Sequence, residues 1–391
     1  NNCRNIFHFF ILSTLFDYSC DLVMKINKQT VLLLIIISVS TVAFLLIPNF
    51  EREAFDPEIV EDISTGTIST TTSLIQNDNT EPEATNNENT EEEFQPSVYD
   101  TLLIDNTSRR IDGLFETYLI IGSDERDSNS APSRGFVKGS RADVIMLVLV
   151  DENKSPSLVS IPRDLLINDP CTKKIQRINS SYSKNECGSD AENLSAVLLN
   201  LTGLKINHFV KFSFDGFEKI IDSFGGIEIC VSETQREGYS FEIQKGCNML
   251  SGEIALNWVV SRNTEVLDGE KLTDEDGNDI SNWKPMPGVS DLTRVKKQQE
   301  VILSLMKNID NFESLNTFFK FVSALEDAFT IDENISIIQA SELLWSFRDI
   351  NFENIQRLTV PTYNYITENN AQVLILDLNF YDFLISKGLV K

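Results

Sequence analysis

The sequence predicts an α/β domain in three layers (α/β/α), a mixed central sheet with helices on both faces, preceded by one transmembrane helix and a disordered acidic stalk. Three observations carry that reading. Strand-like and helix-like segments alternate from about residue 102 onward, the pattern of a layered α/β domain. The runs YLIIG (118–122) and DVIMLVLV (143–150) are apolar almost throughout, as strands covered on both faces are. Ahead of them, an uncharged run at 31–47 gives way to a stretch dominated by Thr, Asn and Glu.

The 391 residues suffice for one large domain or two ordinary ones, and 41% hydrophobic content can build a sizeable core. A formal net charge of -26 argues against a nucleic-acid partner, since that binding relies on clustered Lys and Arg. It leaves room for a compact Arg-lined site within an acidic protein.

Residues 1–23 read as an over-extended reading frame, because Met24-Lys25 makes a natural start for a short cytoplasmic tail at 24–30. The run within 31–48, at about 1.5 Å per residue, just spans a thin hydrocarbon core. Lys25 and Lys28 precede it and acids follow, so the expected location is the cell membrane, with a cytoplasmic N-terminus and an extracytoplasmic body. A cleaved signal peptide is the alternative, but Ile47-Pro48-Asn49-Phe50 lacks the small-residue cleavage pattern. Residues 49–101 read as a solvated, disordered linker holding a folded part at 102–391 away from an anionic membrane.

Within that part, DVIMLVLV and SLVSI (157–161) flank the short polar turn DENKSP and predict a hairpin. Leu194, Val197, Leu198 and Leu201 fall at helical spacing between an Asp190 cap and a terminal Gly203. INHFVKF, SFDGFEKIIDSFGG and IEICV (206–231) read as a βαβ unit whose helix ends at Gly225 and Gly226. Further helices are expected at 252–261, 291–309, 314–328 and 335–347, with strands at 356–360 and 372–376. The segment 263–290, rich in Asp, Gly, Asn and Pro, is too long for an ordinary connection and reads as a mobile flap or a variable excursion. Cys171, Cys187, Cys230 and Cys247 form an even set in an oxidising location, which suggests one or two disulfides. Three pairings are open if all four are used, and Cys171–Cys187 with Cys230–Cys247 is the one expected. Metal binding is the rival, without CxxC spacing to support it.

Ligands of α/β proteins bind at the carboxyl ends of strands, and three charged clusters occupy such turns. GSDERD offers Asp124 and Arg126, SRADV offers Arg141 and Asp143, and SIPRD offers Arg163 and Asp164. If 143–150 and 157–161 pair antiparallel, Arg141, Asp143, Arg163 and Asp164 share one end of the sheet, and a strand at 118 parallel to 157–161 adds Asp124 and Arg126. Each cluster alone reads as a surface ion pair worth about 0 to 1 kcal/mol. Together, arginines suited to bidentate phosphate recognition and carboxylates able to hold a hard cation make the parts of a phosphoryl-transfer site. The sequence contains no GxSxG, HExxH or GxxxxGK[ST] motif. His208 is the only histidine beyond Met24, and its place at the start of a strand favours a structural role over catalysis.

GSDERD, SRADVIMLVLV, SIPRD, LTGLKINHFVKFSFDGFEKIIDSFGGIEICV and DLTRVKKQQ, in that order, resemble the LytR-CpsA-Psr family of cell-envelope proteins. The resemblance implies a transferase that moves a glycopolymer, such as a teichoic acid or capsular polysaccharide, from a polyprenyl-pyrophosphate carrier to peptidoglycan through a phosphodiester. It further implies arginines that grip pyrophosphate, aspartates that bind Mg²⁺ (or Mn²⁺), and a hydrophobic tunnel for the prenyl chain. By motif position Asp124 and Asp143 would hold the metal. Arg141, Arg163, Arg262, Arg294, Gln298 and Asp291 would contact pyrophosphate, and Arg163, Asp164 and Asp143 would be catalytic. Asp291, Arg294 and Gln298 also fall on one helical face, near an N-terminus whose dipole favours phosphate. Two departures stand out: Val260 replaces the first arginine of an Arg-x-Arg pair that family members often carry, and the segment after Arg262 is longer than usual. A non-catalytic binder of prenyl lipid or wall polymer, and a hydrolase of the pyrophosphate-linked glycan, are the competing readings.

Overall fold

The computed structural model describes residues 51–65, 108–111, 113–123, 141–287, 291–325, 327–350 and 354–390. The expected tail and anchor, most of the expected linker, Asp124 and Arg126 lie outside the described residues. Among the described residues no helix is long and apolar enough to cross a membrane.

The first half of the chain forms β1 (Glu51–Glu53), α1 (Pro57–Thr65), β2 (Glu116–Ser123), β3 (Ala142–Val150), β4 (Pro156–Ser160), β5 (Leu166–Asn168), β6 (Ile175–Arg177) and α2 (Asp190–Thr202). Then come β7 (His208–Ser213), α3 (Phe214–Ser223), β8 (Ile227–Val231), β9 (Gln235–Glu237), β10 (Phe241–Ile243), β11 (Gly246–Leu250), α4 (Gly252–Val260), β12 (Glu265–Leu267) and β13 (Trp283–Pro285). The remainder forms α5 (Asp291–Lys307), α6 (Leu315–Ser323), β14 (Thr330–Asp332), α7 (Ile337–Ser346), β15 (Gln356–Thr359), β16 (Thr362–Ile366), β17 (Gln372–Leu376) and α8 (Phe380–Ser386).

Seven strands make one mixed sheet in the order β1-β14-β7-β2-β3-β4-β15. β2, β4, β7 and β15 run one way, and β1, β3 and β14 run the other. The near-continuous apolar strands work as expected, because alternate side chains leave opposite faces. Leu119, Ile121, Leu147, Leu149 and Val159 pack with α1, α2 and α8, whereas Ile120, Met146, Val148 and Leu158 face α5 and the aromatic cluster around α6 and α7. The predicted three-layer mixed architecture and the β3–β4 hairpin are both present.

Several expectations change. The helix at 190–202 is capped by Ser189, not Asp190, in a reciprocal capping box with Glu192, and ends at Gly203 in the left-handed region. A Cβ on Gly203 would lie 2.0 Å from the Arg109 carbonyl oxygen, so both conformation and space require glycine. The expected linker at 49–101 is folded over 51–65, and the domain begins well before 102. β1 adds a parallel edge strand to β14, Phe55, Val60 and Ile63 are buried, and the Asp56 amide donates to the buried Glu192 carboxylate at 3.0 Å. Asn200 then bonds to both Ser64 and Ser108: its side chain donates to the Ser64 carbonyl at 3.1 Å, and its carbonyl accepts from the Ser108 amide at 2.9 Å. A long acidic composition hid three spaced apolar residues whose partners come far later in the chain.

The strand at 227–231 is real, but β8 pairs with β11 outside the central sheet, so 206–231 is not a βαβ unit of that sheet. Likewise β17 pairs with β16, a strand the sequence reading missed, in a separate hairpin. The segment 263–290 supplies β12 and β13, which extend β9 and β10 into a four-stranded sheet. The helices expected at 314–328 and 335–347 are shorter, at α6 and α7. Both expected disulfides, Cys171–Cys187 and Cys230–Cys247, are formed. The Glu228, Cys230 and Cys247 ligand atoms cluster within 4.8 Å, but the two sulfurs are consumed by one bond.

Phe55 is 2% exposed and meets the Phe209 ring edge-on at 5.4 Å. Phe55→Ala should lower unfolding stability in urea by about 3 kcal/mol. A linker role for 51–65 would leave stability unchanged.

Candidate active site

Antiparallel pairing sets the start of β3 beside the end of β4, and Arg163 donates to Asp143 there. Pro162 offers no N–H, so the ladder stops and the chain turns. The turn is pinned: Leu165 N donates to the Pro162 carbonyl at 3.1 Å, Asn179 N to the Arg163 carbonyl at 3.2 Å, and Leu374 N to the Asp164 carbonyl at 3.0 Å. Gly122 lies opposite Val144, where a Cβ would come 2.8 Å from the Val144 side chain. Only glycine lets the strands approach so closely at this point.

The second contribution is α5. Gln299 Nε2 donates to Ser160 Oγ at 2.9 Å and to the Leu358 carbonyl at 2.8 Å, fastening the helix to β4 and β15. Arg294 and Gln298, on the same helix, then line the cleft with Asp143, Arg163 and Arg262. Arg262 comes from the bend between α4 and β12. Phe212, Phe214, Phe217, Leu256, Val259 and Val260 wall the other side of this cleft of about 240 Å³.

Asp164 borders the cleft as a charge hub. It lies 3.8 Å from Arg163 Nε, 3.4 Å from Arg177 Nε and 4.0 Å from the Arg294 guanidinium. Burial, followed by the Arg163 and Arg262 charges, pushes Arg294 down to about 10, against the opposing pull of Asp164 and Asp143. A group so crowded by like charge favours an incoming anion.

Behind the cleft, between the sheet and α5, α6 and α7, an apolar cavity of about 290 Å³ shares Phe212 and Ile302 with the cleft wall. Ile120, Val148, Leu158 and Val210 form its sheet side, and Leu305, Met306, Phe318 and Phe321 its helix side. At its far end lie Tyr118 and His208. Burial, then the hydrogen bond to Glu116, raises the Tyr118 phenol well above its ordinary range. His208 Nδ1 is 3.2 Å from the buried Asp332 carboxylate, whose other oxygen accepts from Phe209 N, in keeping with a structural role.

The structure thus brings together Asp143, Asp164, Arg163, Arg262, Arg294 and Gln298. Arg141 is exposed just before β3 and is not among the cleft-lining residues. Asp291 opens α5, and its side chain lies outside the description, as does all of Asp124. Two residues went unnoticed. Arg177 reaches Asp164 because the β5–β6 hairpin folds back, a tertiary event with no local signal. Lys297 had a signal: it lies three residues after Arg294 and four before Val301, the spacing of one helical face. It is 5% exposed, and burial lowers its ammonium to about 8 despite the Glu237 charge.

A model of the LytR_cpsA_psr family matches residues 69–270 and 283–382. The chain belongs to that family. The unmatched 271–282 form the far end of the β12–β13 excursion. A probable cell wall biosynthesis protein LcpB of Corynebacterium glutamicum is 26% identical over 66% of this chain and 58% of its own length. A polyisoprenyl-teichoic acid–peptidoglycan teichoic acid transferase TagU of Bacillus anthracis is 25% identical over 61% of this chain and 67% of its own. The LytR-Csp2A-Psr enzyme of Actinomyces oris shares the fold with TM-score 0.52 at 23% identity, covering 72% of this chain and 96% of that one. B. subtilis TagV gives TM-score 0.52 at 22% identity, covering 71% and 97%.

Folded Lys297 holds its proton less tightly than its ordinary 10.5, so the unfolded chain carries more protons between pH about 8 and 10.5. Its contribution to stability therefore rises with pH across that window. Lys297→Arg keeps its charge there and lacks the rise. Urea denaturation of the full chain in detergent should show wild type gaining about 2 kcal/mol on Lys297→Arg between pH 7.5 and 9.5. A difference independent of pH would contradict the buried ammonium.

Proposed function

We propose that this chain transfers a glycopolymer from a polyprenyl-pyrophosphate carrier to peptidoglycan, forming a phosphodiester, with the apolar run at 31–47 as its membrane anchor. One observation carries the reading: Arg163, Arg262 and Arg294 converge in a cleft that shares Phe212 and Ile302 with a deep apolar cavity. Such a junction suits an amphiphile with a polyanionic head and an aliphatic tail. The names of the relatives support the same reading.

In this mechanism the three guanidiniums bind the phosphate oxygens, in forked pairs where geometry allows. An acceptor hydroxyl attacks the glycan-bearing phosphorus and gives up its proton to solvent, the bridging P–O bond breaks, and polyprenyl phosphate leaves with the bond's electron pair. Charge developing on the departing oxygen is met by arginines already fixed in place, which need no reorganisation. Gln298 offers an amide to the same oxygens. Asp164, engaged by Arg163, Arg177 and Arg294, orients the arginines, whereas Asp143 faces the cleft and is the carboxylate within reach of the reacting groups. Asp143 offers the oxygen ligand that a hard cation takes, and Asp124 is the residue that follows Ser123, the last of β2, in the sequence. These residues would hold Mg²⁺, which when bound supplies further neutralisation of phosphate charge.

With a lipid-linked glycan and peptidoglycan present, wild type should release polyprenyl phosphate and label the wall, and Arg294→Ala should do both about 100-fold more slowly. Release without wall label would identify a hydrolase, and lipid binding without release a non-catalytic binder. Asp143→Ala should slow transfer at least about tenfold, and EDTA should abolish it. Transfer indifferent to both would refute the metal role.

A further inference from the structure

Lys297 is buried beside the cleft yet lines neither the cleft nor the apolar cavity. Its Nζ donates to the Trp258 carbonyl and to Thr264 Oγ1, each at 3.0 Å. Trp258 lies in the last turn of α4, where carbonyls lack helical partners and a cation is favoured by the dipole. Thr264 stands just before β12 and shares a 2.6 Å hydrogen bond with Ser261 Oγ. The five residues between these two anchors form the bend that carries Arg262. Asn263 N closes it from the other side by donating to Glu237 Oε1 at 2.9 Å. The Trp258 and Phe241 rings lie 5.2 and 5.9 Å from the ammonium.

Burying an ammonium is costly, and an apolar side chain would pack α5 against α4 without that cost. What an apolar side chain cannot do is hold two oxygens from opposite ends of a bend. We propose that Lys297 is the positioning residue for Arg262: its ammonium clamps both ends of the 259–263 bend and so sets the guanidinium at the cleft. The inference rests on the pyrophosphate reading of that cleft. Val260 sharpens the need, since the bend carries one arginine rather than two, and a lax bend would leave the α4 side of the cleft without a fixed cation. The charged groups facing the ammonium are Glu237 from β9 and Arg294 from its own helix. The carboxylate offsets part of the burial cost.

The test titrates farnesyl pyrophosphate calorimetrically into the full chain in detergent. Lys297→Met should weaken binding about tenfold, but less than about twofold when added to Arg262→Ala, and again about tenfold when added to Arg294→Ala. That pattern ties Lys297 to one arginine. Equal weakening in both arginine backgrounds would reveal general damage to the fold and overturn the positioning role, as would unaltered binding in the single variant. Wild type that fails to bind the probe would overturn the pyrophosphate reading itself, and the positioning role with it. If Lys297→Met does not fold, Thr264→Val removes one of the two clamped oxygens. It should weaken binding about threefold only while Arg262 is present, and loss of that dependence would overturn the proposal.

Discussion

Holding three guanidiniums in one cleft is the constraint on which the architecture depends. Arg163, Arg262 and Arg294 come from a strand exit, a helix–strand bend and a helix, and their mutual repulsion opposes the arrangement. Asp143 and Asp164 compensate in part, and Asp164 engages Arg177 as well. The backbone supplies the rest of the restraint: the turn after Pro162 is fixed by three amide donors, and α5 is fastened to the sheet through Gln299. These restraints are hydrogen bonds and ion pairs within the chain itself, and it is on such fixed charges that the proposed phosphate binding relies.

The same framework explains why the apolar cavity sits where it does. Strands β2, β3 and β4 present one face to α1, α2 and α8 with close packing, and the other to α5, α6 and α7 across the cavity. The cleft and the cavity meet at Phe212, where β7 leaves the sheet, and Ile302 on α5. One sheet face is therefore closely packed, and the other borders the apolar cavity that the proposed function assigns to the prenyl chain. Head and tail of an amphiphile would be read by adjoining parts of one helix, with Arg294 and Gln298 toward the head and Leu305 and Met306 toward the tail.

Much of this was legible in the chain. The apolar strands, the β3–β4 hairpin and the placing of Asp143 near Arg163 follow from period, turn chemistry and antiparallel geometry, all local in sequence. Arg294 and Gln298 were legible because a helix repeats its face every three or four residues. What failed was long-range. β1 and α1 were masked by acidic composition, and their partners Glu192 and β14 lie far along the chain. β8 matched the rhythm of a βαβ unit, but its hydrogen bonds go to β11, and only the tertiary structure decides that choice. Arg177 enters the site's electrostatics because the β5–β6 hairpin folds back, which no local pattern shows, whereas the helical place of Lys297 was legible and only its burial was not. Arg141, chosen by motif position, stays on the exposed side of the strand start.

The excursion after Arg262 begins beside the cleft. Its strands β12 and β13 join β9 and β10, and its far end falls between the two matched family segments. Val260 turns an apolar side chain into the cleft near the root of that excursion. The most direct test of the central claim is to map where the lipid lies. A prenyl pyrophosphate tipped with benzophenone would be irradiated with the full chain in detergent, and the adducts located by peptide mass spectrometry. The account predicts adducts in peptides bearing Ile302–Ile309 and Phe318–Leu325, displaced by excess long-chain polyprenyl pyrophosphate. Adducts confined to α1, α2 or α8, or adducts that the competitor does not displace, would contradict it.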